Sequence, residues 1–110
     1  MVKRDELLIK YINKHYNELL ETLQYAKDFN MFTQKSILNK AIKLDLLQIG
    51  ENINHLSDEA KLQLKKEDLS GVIAVRNQVA HGYVRVDDES IWDTINNDLP
   101  RLMSQVNSIR

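Results

Sequence analysis

Two stretches of this chain place apolar residues every three or four positions for more than twenty residues each, and this spacing limits the fold more than any other feature. From Asp5 to Asp28, the residues Leu8, Ile12, Tyr16, Leu19, Leu23 and Ala26 form one stripe, the repeat of an amphipathic helix. From Thr33 to Leu56 the same steps recur thirty residues on, through Leu38, Ile42, Leu46, Ile49, Ile53 and Leu56. At ~1.5 Å of rise per residue each helix is ~35 Å long and needs a long partner for its stripe. The short connection Phe29-Asn30-Met31-Phe32 makes an antiparallel hairpin the economical arrangement. The spacing is shared but the residue identities are not, so this is not an internal repeat.

The rest of the chain reads as shorter helices. Ser57-Asp58-Glu59 places a cap residue and two acids at the start of a short polar helix to about Lys66, matching the positive helix N-terminus. Glu67-Asp68-Leu69 then reads as a loop. Ser70 is a candidate cap for a helix through Val72, Ile73, Val75, Arg76, Val79 and Ala80, and Gly82 a candidate stop. Val84-Arg85-Val86 is too short to define a strand. Asp87 or Asp88 caps a last helix with apolar positions Trp92, Ile95, Leu99, Leu102, Val106 and Ile109. Pro100 inside it predicts a kink or break near Leu99. The class is all-α.

With 110 residues, one domain spanning 1–110 is expected. The chain has no Cys, which excludes a disulfide framework, thiolate zinc sites and a Cys nucleophile and favours a reducing, cytoplasmic setting. Its longest apolar run, Val72 to Val75, is four residues, against ~20 for a bilayer span, so neither membrane insertion nor export is expected. Residues 1–66 carry a net +2 and residues 67–110 a net −3. That balance lacks the basic face of non-specific duplex binders, so any nucleic-acid contact must be local.

The densest chemistry is Arg76-Asn77-Gln78-Val79-Ala80-His81-Gly82-Tyr83. At 100° per residue Arg76 and Tyr83 lie about 20° apart, with Asn77 and His81 on the adjacent face. Arg76 offers a permanent planar cation that matches phosphate, and His81 a group that exchanges a proton near neutrality. Alone, such a pair is more often a surface cation and a helix C-terminal cap. Glu51 and His55 are spaced i,i+4 as a metal half-site would be, but no second pair has suitable spacing, so a helix-surface pair is expected and no metal site. Gly50 in mid-helix costs ~1 kcal/mol against Ala, which a close helix crossing would explain. His15, near Tyr11 and Tyr16, reads as hairpin surface or dimer boundary, Trp92 as core. Lys35, Lys40 and Lys43 read as a solvated face with the capacity, doubled in a dimer, to guide RNA.

The order and spacing of RNQVAHGY resemble the Arg-X4-His-X-Tyr motif of HEPN-domain proteins, in the branch of HepT-like toxins paired with a minimal nucleotidyltransferase. Leu47-Gln48-Ile49-Gly50-Glu51-Asn52 is similar to that branch's Ile-Gly-Glu stretch, and Val86-Asp87 with Ile91-Trp92 to its continuation past the Tyr. The resemblance spans nearly the whole chain. One departure is Leu69, where the branch commonly has Trp.

The resemblance implies a HEPN-like helical bundle on the long antiparallel hairpin, with shorter helices carrying the motif, assembled as a homodimer. It implies a toxin RNase of a type VII-like toxin–antitoxin pair, without metal or other cofactor, acting on RNA through Arg76 and His81. Asn77, Tyr83 and Glu51 would support the site, Glu51 through an ion pair with Arg76. A nucleotidyltransferase antitoxin would neutralise it by transferring AMP to Tyr83. A non-catalytic module that holds nucleotide or substrate for a nucleotidyltransferase partner remains the alternative.

Overall fold

The structure, a computed structural model, describes residues 1–81 and 87–110. Among them run α1 (Lys3–Leu23), α2 (Phe29–Gln34), α3 (Ser36–Asn54), α4 (Asp58–Lys61), α5 (Lys66–His81), α6 (Asp88–Asp93) and α7 (Leu99–Val106), with a π-helical turn, Thr94–Asp98, between the last two. The all-α reading holds. None of the helices is long and apolar enough to cross a membrane.

The predicted stripes meet as the α1–α3 hairpin. Ile12 and Leu19 of α1 are fully buried with Ile42, Leu46, Ile49 and Ile53 of α3, while Leu8, Tyr16, Leu23 and Leu38 flank them half-buried. The ends of the pair are tied antiparallel. Asp5 on the first turn of α1 accepts the Ser57 N–H at 2.9 Å and its hydroxyl at 2.6 Å, and the Ser57 hydroxyl oxygen in turn accepts the Ala60 N–H to cap α4.

Asp5 is buried, and the Ser57 hydroxyl and N–H hold its carboxyl below the usual range. A depressed folded pKa gives stability that is present above the unfolded value of 3.8 and lost as pH falls through the folded one. Asp5→Ala is expected to cost on the order of 1–3 kcal/mol at pH 7. Urea melts should show the gap to wild type closing towards pH 3; a gap that does not change with pH would contradict this role.

Between the two long helices, the expected plain connection is itself helical. Asp28 caps α2 by accepting the Met31 N–H at 2.8 Å. Phe32 is fully buried and stacks on Trp92 with ring centroids 5.2 Å apart. Two Phe in so short a segment are core anchors, and one helical turn lets both reach inward.

The expected loop at residues 67–69 is also helical, because α5 starts at Lys66. Gln105 of α7 accepts the Lys65 N–H at 2.7 Å, so the chain entering α5 is held from forty residues away and not by Ser70. Gln105 also donates to Asp68 at 2.8 Å, and Arg101 Nε donates to the other Asp68 oxygen at 3.1 Å. Leu69 packs half-buried against the core. Pro100 acts upstream of where it stands: the Leu99 N–H bonds the Thr94 carbonyl, five residues back. The widened turn absorbs the donor that proline lacks, and a helical path resumes with Pro100 at its start, where a missing N–H is tolerated.

Candidate functional site

Where α5 crosses α3, Gly50 faces the stem of Arg76. A Cβ on Gly50 would lie 2.5 Å from Arg76 Cγ and 2.7 Å from its Cβ, so only glycine admits this approach. The predicted close crossing is therefore present, and its effect is to lay the Arg76 side chain across α3 with only 21% of it exposed.

The guanidinium is gripped at both ends. Its Nη2 pairs with Glu51 Oε2, and its Nη1 donates to Asn77 Oδ1 at 2.9 Å. Arg76 Nε is buried with no hydrogen-bond partner among the described residues. The second Glu51 oxygen meets His55 Nε2 at 3.1 Å. The His55 hydrogen bond, followed by the Arg76 charge, holds the Glu51 carboxyl below the ordinary range. A carboxylate that stays ionised keeps Arg76 in one orientation throughout the neutral range.

Of the residues singled out in the sequence, Glu51, Arg76 and Asn77 thus form one network. His81 is the last residue of α5, exposed and one turn beyond Asn77. Tyr83 and Gly82 lie outside the described residues, as does Val84-Arg85-Val86. Glu51 and His55, expected from their i,i+4 spacing as a helix-surface pair, do pair there, and the structure adds that the same Glu51 carboxylate also holds Arg76. Lys43 is not simply solvated. It pairs with Asp88 at 2.8 Å, and Asp88 also accepts from Thr33 and Asn39, joining α2, α3 and α6. Lys35 and Lys40 stay exposed.

Chemically, the arrangement presents an immobilised cation, a carboxamide whose oxygen is occupied by that cation, and an imidazole at an exposed helix end. A fixed guanidinium is suited to a phosphate, because little ordering remains to be done on binding.

Comparison with known proteins agrees with this chemistry. The family described as "Ribonuclease HepT-like" matches residues 12–109. A protein of Caldanaerobacter subterraneus subsp. tengcongensis named "Putative RNase" is 30% identical over 81 residues, covering 74% of this chain and 72% of its own length. Another so named, from Methanocaldococcus jannaschii, is 23% identical over 107 residues, covering 96% and 97%. No solved structure matches the chain significantly.

Proposed function

The chain belongs to the HepT-like ribonuclease family, and from that premise we propose that it is a metal-independent endoribonuclease toxin acting as a homodimer. The observation that carries the reading is the gripped guanidinium: Gly50, Glu51 and Asn77 hold Arg76 in one place on the helix that ends in His81. Cleavage without a metal uses the ribose 2′-hydroxyl as nucleophile. One group takes its proton, and another protonates the leaving 5′-oxygen. Each chain has one motif histidine, so a two-fold dimer that brings two motifs across a shared cleft supplies both, with two Arg76 cations for the charge on the pentacoordinate phosphorus. The test is RNA cleavage in excess chelator by protein whose dimeric mass is verified by light scattering. A stable monomer, or cleavage that needs a divalent ion, would overturn the reading. Nucleotide binding without cleavage would replace it with the non-catalytic module.

Control is assigned to Tyr83, two residues beyond His81 in the motif. A cognate nucleotidyltransferase would transfer AMP from ATP to the phenolic oxygen, releasing pyrophosphate. The phosphodiester brings negative charge to the motif, and the nucleoside adds bulk where RNA must lie. Co-expression with a cognate nucleotidyltransferase is expected to add one or more ~329 Da increments by intact mass, lost in Tyr83→Phe. Full neutralisation of Tyr83→Phe with no mass change on wild type would show a steric antitoxin instead.

A further inference from the structure

The hairpin carries a second cluster of ionisable groups, away from the motif. His15 and Glu18 stand one turn apart on α1, and Asp45 faces them from α3. His15 Nδ1 lies 3.5 Å from Glu18 Oε2 and 3.5 Å from Asp45 Oδ1, and one ligand atom of each residue falls within 4.8 Å of the other two. Charge-assisted hydrogen bonds would draw such groups to ~2.7–2.9 Å. The two separations from His15 instead approach the edge of a zinc tetrahedron, since ligands ~2.0–2.1 Å from the metal stand ~3.3–3.4 Å apart.

Two further features point to a cation. His15 Nδ1 is buried and makes no hydrogen bond among the described residues, and no Lys or Arg among them pairs with Glu18 or Asp45. Side-chain exposure rises from 11% for Asp45 through 23% for His15 to 48% for Glu18, so the cluster is closed on the core side and open at Glu18. A groove of about 480 Å³ begins there, lined by Glu18 and Asp45 among others, giving room for a water and a path of entry.

We propose that His15, Glu18 and Asp45 form a three-ligand site for a zinc-class divalent cation, completed by water, that clasps α1 to α3. One imidazole nitrogen and two carboxylate oxygens suit zinc and its first-row neighbours, whereas calcium and magnesium take six or more oxygens. The cation bridges two helices that the unfolded chain does not hold together, so its binding energy adds to the stability of the hairpin. It takes no part in cleavage, and chelation therefore separates this proposal from the metal-independent reaction.

The test uses the full chain, stripped with chelator and dialysed. Titration with ZnCl₂ by calorimetry is expected to give one ion per chain and a rise in melting temperature of several degrees. CoCl₂ is expected to give the visible absorption of low-coordinate cobalt. The near-isosteric variants His15→Gln and Asp45→Asn should weaken binding by ~100-fold or more, whereas His55→Gln should leave it unchanged, which excludes the Glu51–His55 pair as the ligand set. Absence of saturable one-to-one binding by wild type, or binding that survives in both variants, would overturn the site without touching the ribonuclease reading.

Discussion

His81→Ala is expected to lower RNA cleavage by ~10²–10⁴-fold, the usual loss when a positioned acid–base group is removed. His81 is exposed at the end of α5, and circular dichroism and melting temperature of the variant separate lost chemistry from lost folding. Arg76→Ala should fall by a similar factor. Arg76→Lys should not rescue it, because a lysine ammonium cannot reach Glu51 and Asn77 together as the planar fork does. Single-turnover cleavage of a labelled RNA in excess EDTA measures all three, and the wild-type products should end in a 2′,3′-cyclic phosphate or a 3′-phosphate. Wild-type rates in His81→Ala would remove the imidazole from the mechanism. Activity restored by a divalent ion would replace the mechanism with a metal-assisted one.

Gly50→Ala is expected to reduce both stability and cleavage, against the ordinary preference of helices for alanine. Alanine gains ~1 kcal/mol of helix propensity. The new methyl, however, would lie 2.5 Å and 2.7 Å from the root of the Arg76 side chain, where no flexible end can swing aside, and overpacking of this kind costs ~1–3 kcal/mol. The net loss of about 1 kcal/mol should lower the melting temperature by ~4–8 °C in a domain of this size. Cleavage should fall further, ~100-fold, because a displacement on the order of 1 Å at a charged catalytic group has that effect. A Gly50→Ala protein that melts higher and cleaves normally would show that the crossing has room to relax.

Much of this was readable along the chain. The three- and four-residue steps of Leu8 to Ala26 and of Leu38 to Leu56 specify amphipathic helices because a helix returns to the same face every 3.6 residues, and the observed α1 and α3 bury that stripe. The close crossing at Gly50 was also legible, because a glycine in mid-helix needs a reason, and the family resemblance implied the pairing of Glu51 with Arg76. The segments misread were those whose partners are remote. Phe29 to Gln34 is helical because Phe32 stacks on Trp92, sixty residues later. Residues 67–69 are helical because Gln105 and Arg101 of α7 hold Lys65 and Asp68. Local cap rules see only three or four residues in either direction.

Pro100 was seen for what it lacks, but a linear reading cannot say how a helix will compensate; packing of Leu99 and Ile95 in the core favoured a widened turn over a break. The sequence by itself determined the helical class, the hairpin, and the family through its motif, because each rests on periodicity or on residues a few positions apart. Only the tertiary structure decided that one Glu51 carboxylate serves Arg76 and His55 at once, that Asn77 takes the other end of the guanidinium, and that Asp45 closes on His15 and Glu18 across the hairpin. Spacing along the chain shows no metal-ligand cluster there, because the third ligand comes from another helix. Such groupings depend on helix rotation and crossing, which the whole core sets and no local pattern encodes.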